Sequence, residues 1–377
     1  MDINKFISGS YEQGYEFKSF VPAKINQSWT WSDPVINTML EQASLLLGEL
    51  NALSRFVPDV DMFIRMHVLK EAVVSSRIEG TRTGMDDASL PEIDVTPEKR
   101  DDWNEVNNYV RAMNYAIERL QELPLSMRLL RETHAILLDS VRGKHKLPGE
   151  FRSSQNWIGG ATIKDAVFVP PTHNLVAELL SDIEQFLHDD TANVPDLIKI
   201  AIAHYQFETV HPFLDGNGRI GRLMITLYLV SRGIMDRPLL YLSDYFENNR
   251  SLYYDNLTFA RTKNDLAQWL KFFLVGVSQT AAKSVATLKK LLDLKLQLEG
   301  RIKKNLGKRS EAALQLLDQL FATPAVSIKT VAETTGLSTR AATALITALI
   351  SEGILYEVTG NQRNRIFSFK DYLQMFE

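Results

Sequence analysis

Apolar residues recur every three or four positions over most of this chain, which is the spacing of helices that bury one face. Upstream of residue 290 the spacing predicts helices over residues 32–53, 61–78, 103–120, 126–138, 174–188, 195–209, 219–232, 247–260 and 264–289. Residues 1–30 are polar, aromatic-rich and aperiodic, and we expect them to lie as an arm across another surface. The chain is therefore predicted to be mainly α-helical.

Two parts of the chain break this pattern. Glycines and prolines punctuate residues 142–173, where the apolar run at 166–169 predicts a short β-hairpin. A basic stretch at 301–309 is typical of a linker. After it we expect a helix at 310–322, a helical segment at 327–336 and a helix that is capped by Ser338 and reaches about Ser351. Two β-prone runs follow, at 354–358 and 365–369. Two helices joined by a turn that contains Gly336, followed by a hairpin, predict a winged helix-turn-helix.

Composition narrows the class of protein. The length of 377 residues suffices for two or three domains, and a net charge of −4 provides no overall field that would draw the chain to nucleic acid or membranes. Without cysteine there can be neither a disulfide framework nor a thiolate metal site. The start lacks a signal-peptide pattern, and no apolar run approaches the roughly 18 residues of a membrane span. We therefore expect a cytoplasmic protein that does not bind membranes.

Unusual chemistry is concentrated in the segment HPFLDGNGRIGR at residues 211–222, between two predicted helices. Glycines let backbone amides approach a ligand, and the amides at a helix start bind anions. Arg219 and Arg222 add cationic charge that suits several phosphate oxygens. Asp215 is a single carboxylate among these groups, and Mg²⁺ in proteins usually takes one or two carboxylates plus substrate phosphates.

A dinucleotide-binding fold is the competing interpretation of this segment. Residues 216–221 match GxGxxG, a helix follows, and residues 239–244 resemble a strand that ends in Asp244. That fold requires an apolar strand before the first glycine, whereas residues 197–207 have helical spacing. We therefore reject it. His204, seven positions before His211, is expected to be a hydrogen-bonded core residue.

The segment 211–222 resembles the signature loop of the Fic family, HxFx(D/E)GNGRxxR, at each defining position. The resemblance implies a mainly helical Fic-type core with a short β-hairpin flap, and a protein adenylyltransferase that uses ATP and Mg²⁺. It implies these domains: an N-terminal helical region at 1–119, the catalytic core at 120–280, a helical linker at 281–304 and the winged helix-turn-helix at 305–377.

Residue roles follow from the resemblance. His211 would be the general base that takes the proton of a target hydroxyl, and Asp215 would bind Mg²⁺. The residues expected to contact ATP are Glu79, His211, Gly216, Asn217, Gly218, Arg219, Ile220, Gly221, Arg222, Asn248, Asn249, Tyr253 and Tyr254. Within that set, the three residues from Gly216 to Gly218 would form the anion cradle, and the two arginines would hold the β/γ end.

Two further motifs resemble parts of the family. The flap, Val167, Phe168 and Val169, would present a strand edge to the target segment. Ser75, Glu79 and Gly80 match the inhibitory motif (S/T)xxxE(G/N), in which the glutamate pairs with the second loop arginine, here Arg222. A carboxylate on that guanidinium would compete with the γ-phosphate.

The function of the C-terminal tail stays open between DNA binding, a protein contact and a homodimer contact. Arg340 lies on the second helix of the motif, and Arg363 and Arg365 lie on the wing, where they would reach phosphate. The alternative to the enzyme is therefore a nucleotide-sensing, DNA-binding transcriptional regulator. His211 favours the enzyme, because a sensor needs no base beside the phosphate cradle. The sequence does not show which protein is the target, whether the chain modifies itself, or which residue type is modified. It also does not show whether Glu79 helps to remove AMP or whether a nucleotide other than ATP is used.

Overall fold

The computed structural model describes residues 1–14, 16–56, 60–88, 95, 97–139, 144–360 and 365–376. It divides into two compact units, one formed by Met1–Gly48 with Val68–Ala281 and the other by Glu49–His67 with Ala282–Glu377. Within the described ranges, no helix combines the length and the apolar character that crossing a bilayer would require.

Helices make up most of the chain up to residue 305, as the apolar spacing predicts. They are α1 (Pro34–Ser54), α2 (Val60–Ile78), α3 (Met85–Ala88), α4 (Arg100–Arg119), α5 (Met127–Leu137), α6 (His173–His188), α7 (Asp196–Val210), α8 (Asn217–Ser231), α9 (Ser243–Asn248), α10 (Arg250–Lys263) and α11 (Leu266–Asn305). One helix was predicted over 247–260, but the structure has two helices there, α9 and α10. The chain leaves helical geometry between them at Asn249, where φ is −120°. Residues 301–305, which we expected to belong to a linker, are helical and continue α11, with Leu298 and Ile302 buried. The domain boundaries stay a prediction.

Helices α7 and α8 form the centre of the first unit. Every residue of α7 from Leu197 to Val210 is buried, because α6 and α8 pack against it. The indole of Trp269 on α11 donates to the carbonyl of Ala201 at 2.9 Å. A helix that is buried all round has little freedom to shift, so its last residues provide a rigid base for the loop that follows.

The N-terminal arm lies on the first unit, as expected, but it contains strands that the sequence did not predict. Strands β1 (Gly9–Gln13) and β2 (Lys18–Pro22) form an antiparallel hairpin. The buried carboxylate of Asp182 on α6 accepts the amide of Ile25 at 2.7 Å, and Gln206 donates to the carbonyl of Ala23 at 2.8 Å. These hydrogen bonds fasten the arm to the surface of α6 and α7.

The predicted flap hairpin is reduced to one isolated antiparallel bridge between Ile158 and Phe168. The Val167 side chain is 78% exposed, whereas Phe168 and Val169 are buried. The amide of Phe20 on β2 donates to the carbonyl of Val169 at 2.9 Å, and the two phenylalanine rings lie 5.9 Å apart. Both sides of the predicted edge therefore already have backbone partners within this chain, which corrects the expectation of an open flap strand.

The second unit contains the C-terminal elements. They are α12 (Ser310–Ala322), β3 (Ala325–Ser327), α13 (Ile328–Thr335), α14 (Thr339–Ser351), β4 (Tyr356–Glu357), β5 (Ile366–Ser368) and α15 (Lys370–Leu373). The strands form an antiparallel sheet in the order β3-β5-β4, and Gly336 takes φ +66° in the turn between α13 and α14. Strand β3 was not predicted. These helices and strands are those of the predicted winged helix-turn-helix, and that identity stays a prediction.

The outward face of α14 is mostly neutral. Thr343 and Thr347 are exposed, and each hydroxyl donates to the backbone carbonyl four residues earlier. Arg365 forms an ion pair with Glu357 beside it, and Arg363 lies outside the described residues. DNA binding usually requires clustered cationic groups, so this face adds no support for it.

The hydrogen bond from Ile25 to Asp182 predicts which contact holds the arm. Asp182→Ala should lower the free energy of unfolding by about 1.5–3 kcal/mol, because a buried amide loses a charged acceptor. The variant should also speed cleavage within residues 1–31 in limited proteolysis. Glu178→Ala on the same helix is the control, since its ion pair with Lys24 is exposed on both sides and contributes at most about 1 kcal/mol. Equal effects of the two substitutions would contradict this assignment.

Candidate functional site

The site begins where α7 ends. His211 has φ 50° and ψ 62°, the left-handed conformation, and its amide donates to the carbonyl of Phe207 at 2.9 Å. This conformation is uncommon for a residue other than glycine, and it turns the chain sharply out of the helix. Strained backbone of this kind persists only where the surroundings fix it.

The loop between α7 and α8 is closed by one side chain. Asn217, the first residue of α8, accepts the amide of Phe213 at 2.7 Å and donates to its carbonyl at 2.8 Å. Asn217 was predicted to belong to the anion cradle. Its side chain instead fixes the loop, and only its backbone amide is left to face a ligand.

Two buried side chains hold the loop from outside. Arg152 donates to the carbonyls of His211 at 3.0 Å and Val210 at 3.3 Å, and burial lowers its pKa to about 10. Asn156 donates to the carbonyls of His211 at 3.1 Å and Phe213 at 2.9 Å. These donors therefore satisfy loop carbonyls that would otherwise be buried without a partner.

His134 on α5 supports the far side of the loop. Its ring stacks on Phe213 with the centroids 3.8 Å apart. Nδ1 accepts the amide of Gly149 at 2.9 Å, so Nε2 carries the proton that it shares with the carbonyl of Asp215 at 3.0 Å. Burial lowers the pKa of His134 to about 4, which keeps this bridge neutral.

Helix α8 begins beneath this loop with its amides directed at the site. Gly216 takes φ +76° as the N-cap and has no capping side chain. Its amide donates to the carboxylate of Asp215 at 2.6 Å, whereas the next three amides of a helix have no partner within it. A Cβ on Gly218 would stand 2.4 Å from Oε1 of Glu79, so only glycine lets that carboxylate approach. The carboxylate of Glu79 therefore lies against the first turn of α8.

The carboxylate at this site belongs to the residue that follows α2. Glu79 Oε1 lies 2.8 Å from Nη2 of Arg222, which also donates to the carbonyl of Ser75 at 2.9 Å. Nε of Arg222 donates to the hydroxyl of Ser75 at 2.9 Å. Gly80 follows in the left-handed region at φ +107° and lets the chain turn away from α2. Arg222 is itself buried, so Glu79 neutralises a charge that has little contact with water.

The charges near Glu79 show which groups converge. Burial raises the pKa of Glu79, but Arg222, followed by Arg219 and His211, lowers it more, so the net shift is downward. The carboxylate therefore lies within electrostatic reach of the three groups predicted to act on a phosphate. The loop and α8 bring these groups together at one place.

Arg219 has unused hydrogen-bonding capacity. It is buried, and its weak ion pairs reach Glu105 on α4 and Asp215, each at 3.5 Å. Within the described part of the chain, Nε of Arg219 has no hydrogen-bond partner. An unpaired buried donor on a cation is costly, and an anionic ligand would satisfy it.

His211 is neutral at physiological pH. Burial lowers its pKa to about 4, Arg152 and Arg261 contribute in the same direction, and the Glu208 carbonyl and Glu79 oppose the shift. Nδ1 is buried and, among the residues that the structure describes, has no partner that meets hydrogen-bond geometry. A neutral imidazole can accept a proton, which is what a general base requires.

Asp215 is the predicted magnesium ligand. Its side chain is exposed at the start of α8, and one oxygen already accepts the amide of Gly216. Across the described ranges, no group of three or more acidic or histidine side chains is placed to hold an ion without help. One carboxylate fits a Mg²⁺ ion that takes most of its other ligands from phosphates and water.

The residues predicted to contact adenosine are divided between surface and core. Asn248 and Asn249 donate to Asp244 at 3.4 Å and to the Tyr245 carbonyl at 2.9 Å. Tyr254 is 41% exposed, and its ring centroid lies 5.1 Å from that of Tyr253.

Tyr253 does not take the predicted position. It is fully buried against Phe246, with the ring centroids 4.4 Å apart, and its hydroxyl lies 3.0 Å from Nε2 of His204. Its ring therefore belongs to the core and offers no face to a nucleotide. His204 also bonds to the carbonyl of Gly221 at 2.9 Å, which confirms it as a core residue.

Ile220 and Gly221 also face the protein rather than a ligand. Ile220 is fully buried, and a Cβ on Gly221 would stand 2.3 Å from Oε1 of Glu208 on α7. These two residues set how closely α8 packs against α7. They therefore support the anion site from behind and do not contact a ligand in it.

Sequence reasoning missed the residues that hold the loop. His134, Arg152 and Asn156 lie outside the motifs at 75–80, 167–169 and 211–222 that the sequence indicates. Each is a polar residue that is buried because it satisfies backbone carbonyls. A polar side chain within an apolar helix face, such as His134 on α5, was the one available signal.

Two family models match the chain, and both describe the same family. The model "Fic/DOC family N-terminal" matches residues 37–118, and the model "Fic/DOC family" matches residues 124–229. Together these ranges include the inhibitory motif and the loop between α7 and α8.

Curated relatives carry the name protein adenylyltransferase Fic. The protein from Drosophila grimshawi is 30% identical over 177 residues, which are 46% of this chain and 33% of the relative. The protein from Drosophila willistoni is also 30% identical over 177 residues and is covered to 32%. The chain thus spans about a third of the length of the curated relatives it matches.

Solved structures share the fold at low sequence identity. A Fic family protein from Desulfovibrio desulfuricans G20 has a TM-score of 0.58 at 19% identity, over 92% of this chain and 98% of that one. A Fic domain containing signaling protein from Bacteroides thetaiotaomicron has a TM-score of 0.54 at 18% identity, over 66% and 97%. These likenesses establish a fold with a Fic-type helical core.

The contacts of Arg152 predict that it holds the loop in place. Arg152→Ala should lower the free energy of unfolding by roughly 3 kcal/mol, because several buried carbonyls lose a charged donor at once. Denaturant unfolding measures the change. Arg128→Ala, which removes an exposed arginine from α5, is the control and should stay within about 0.5 kcal/mol of the unsubstituted chain. A small effect of Arg152→Ala would mean that the loop is held by other contacts.

Proposed function

Since this chain belongs to the Fic/DOC family, we propose that it is a protein adenylyltransferase that transfers AMP from ATP to a hydroxyl side chain of a target protein. The target can be a second protein or the chain itself, modified at serine, threonine or tyrosine. The observation that carries the proposal is the ion pair of Arg222 with Glu79 against the first turn of α8, the helix that follows the His211 loop and also carries Arg219. A base and two guanidinium groups at a helix start suit a nucleotide triphosphate and an incoming alcohol.

The reaction joins the target oxygen to the α-phosphorus of ATP. His211 takes the hydroxyl proton as the oxygen–phosphorus bond forms, and the bond from the α-phosphorus to the bridging oxygen breaks to release pyrophosphate. Its low pKa keeps the imidazole in the accepting form, and the left-handed backbone at its position fixes its direction. Most of the rate enhancement then comes from positioning and from charge stabilisation.

The β- and γ-phosphates bind at the start of α8. The amides from Asn217 onward lie at the positive end of the helix dipole, and the unpaired Nε of Arg219 supplies a charged donor. Arg222 would bind the γ-phosphate with the Nη2 group that now contacts Glu79. Adenosine lies toward the exposed face of α10 beside Tyr254.

A magnesium ion would be held by Asp215 together with phosphate oxygens. Such an ion, when bound, neutralises phosphate charge and makes the α-phosphorus more electrophilic. The single exposed carboxylate matches this shared coordination. Asp215 also accepts the Gly216 amide, which orients the carboxylate before any ligand binds.

Glu79 inhibits transfer by occupying Arg222. The carboxylate and the γ-phosphate require the same donors, and two anions cannot share one buried guanidinium without strong repulsion. The contact with Ser75 holds the guanidinium in the orientation that suits Glu79. The inhibited form is therefore the resting state, and ATP binds productively only after Glu79 leaves.

The regulator alternative has no observation of its own in its favour. A nucleotide sensor that binds DNA through residues 305–377 would need a cationic reading face, and the outward face of α14 carries mainly hydroxyl groups. A homodimer contact through this tail is likewise without a specific observation.

Removal of the inhibitory carboxylate tests the activity directly. Glu79→Gly treated with ATP and Mg²⁺ should carry an added AMP mass in intact-mass spectrometry, at a level roughly an order of magnitude or more above the unsubstituted chain. The double variant Glu79→Gly/His211→Ala should carry none, because the base is missing.

Arg77→Ala is the matched control, because it removes an exposed side chain from the same helix and keeps Glu79. It should behave like the unsubstituted chain. Absence of labelling in Glu79→Gly, with both itself and a cell lysate as targets, would sink the proposed reaction. Labelling that survives in the double variant would remove His211 from the role of base.

The low pKa of His211 predicts the pH dependence of the chemical step. In Glu79→Gly the pKa stays at or below about 4, since Glu79 had raised it, so the base is neutral throughout the neutral range. The single-turnover rate at saturating ATP should therefore be flat between about pH 6 and about pH 8. A rate that rises with a midpoint near the ordinary histidine pKa of about 6.5 would contradict this environment.

A further inference from the structure

A second carboxyl group lies behind the anion site, and the reaction described above does not use it. Glu208 is on α7, three residues before His211, and is 7% exposed. Within the described part of the chain, its Oε1 has no hydrogen-bond partner. The same oxygen lies 2.3 Å from the position that a Cβ on Gly221 would take. The carboxyl group is therefore in close contact with the backbone of α8 directly before Arg222.

Charged and titratable groups surround Glu208 on each element that packs there. Arg222 approaches from α8, Glu79 from the end of α2, and Arg261 and Tyr253 from α10. On α7 itself, His204 lies four residues before Glu208, and His211 follows it by three residues at the end of the helix. Both histidines are neutral, because burial lowers the pKa of each. Arg222 is thus the cation that Glu208 shares with Glu79.

We propose that Glu208 is a positioning residue that acts on Arg222 from behind, and that its protonation state sets how tightly Arg222 holds an anion at the front. The anion is Glu79 in the resting state and the γ-phosphate of ATP in the active state. This inference rests on the proposed function for the identity of the second anion. It adds a group outside the signature loop that controls affinity for the nucleotide.

The electrostatic argument depends on the shared cation. When Glu208 is ionised, its charge satisfies part of Arg222 and repels any other anion nearby, so the front of the guanidinium binds a phosphate less tightly. When Glu208 is protonated, the full charge of Arg222 faces the front. Binding of a phosphate must in turn raise the pKa of Glu208, because linkage between two sites is reciprocal.

The pKa of Glu208 lies near neutral pH, so its protonation state changes there. With Glu79 in place, burial raises the pKa of Glu208 to about 7, Arg222 lowers it and Glu79 raises it. Loss of Glu79 lowers the pKa of Glu208, and arrival of a phosphate raises it again. ATP binding should therefore take up a proton at neutral pH, and affinity should fall as the pH increases through this window.

Glu71 shows that burial alone does not create this behaviour. It is also buried, burial raises its pKa, and the charge of Arg222 opposes that shift. Its Oε1, however, accepts the hydroxyls of Tyr109 at 3.0 Å and Ser243 at 2.5 Å. Those bonds tie Glu71 to α4 and α9, whereas Oε1 of Glu208 is left to respond to Arg222.

The test measures binding without transfer. The probe is α,β-methylene-ATP with Mg²⁺, titrated calorimetrically into Glu79→Gly and into Glu79→Gly/Glu208→Gln at about pH 5.5 and about pH 8. The ratio of the Kd at about pH 8 to the Kd at about pH 5.5 should be at least roughly five-fold larger in Glu79→Gly than in the double variant. Five-fold is the low end of the coupling between interacting sites. Glutamine keeps the shape of the side chain, so a structural role would leave the pH dependence unchanged.

Proton uptake gives an independent readout. Titrations in two buffers of different ionisation enthalpy should show more proton uptake in Glu79→Gly than in the Glu208→Gln double variant. The γ-phosphate of the probe titrates with both variants, so the difference in proton uptake between the two variants reports on Glu208. Glu79→Gly/Glu132→Gln is the control and should behave like Glu79→Gly. In the described part of the chain, the Glu132 carboxylate bonds to side chains of α4 and α5.

Identical pH dependence and proton uptake with and without Glu208→Gln would overturn the inference. Absence of probe binding at any pH would also overturn it. Its failure is distinct from failure of the proposed reaction: AMP labelling with no Glu208 effect removes only this inference. A Glu208 effect on binding with no labelling would remove the transferase and leave the inference standing.

Discussion

The buried guanidinium of Arg222 is the constraint on which the rest of the site depends. A buried cation destabilises a fold strongly unless an anion and several hydrogen-bond acceptors accompany it. Ser75 provides two of the acceptors, and Glu79 provides the anion. The fold can therefore release Glu79 at low cost only if another anion takes its place. Under the proposed function, inhibition and nucleotide binding would be two ways of meeting the same electrostatic requirement.

This constraint also explains why so many polar side chains surround the loop without facing a ligand. Arg152, Asn156 and His134 satisfy loop carbonyls, and Asn217 closes the loop on Phe213. Each carbonyl that they satisfy would otherwise be left without a partner inside the protein. The burial of α7 and α8 keeps these partners in register, so the anion site is organised before any anion arrives.

The sequence predicts this architecture well where a signal is periodic or contiguous. The apolar spacing identifies α7 and α8, and residues 211–222 identify the loop, because the helix face and the motif are both local. It misses β1 and β2, which are short, and whose pairing depends on contacts with distant parts of the chain.

The sequence also fails where a residue type permits two roles. Tyr253 and Tyr254 are adjacent and chemically alike, yet one lies in the aromatic core and the other near the surface. At residues 167–169 the β-prone run is real, but its edge is already bonded to Ile158 and Phe20. Three-dimensional packing decides both cases, and no spacing rule carries that information.

Burial also determines which ionisable side chains near the site are charged and which are neutral. Low dielectric favours the neutral form of every acid and base that lacks a partner, and His211, His134 and His204 accordingly have low pKa values. The ions that persist are those with a counter-charge, chiefly Arg222 with Glu79. Burial thus leaves a neutral imidazole at His211 and a charged, buried guanidinium at Arg222. A water-filled site would give neither, because solvation would return the histidine toward its ordinary pKa and would screen the guanidinium.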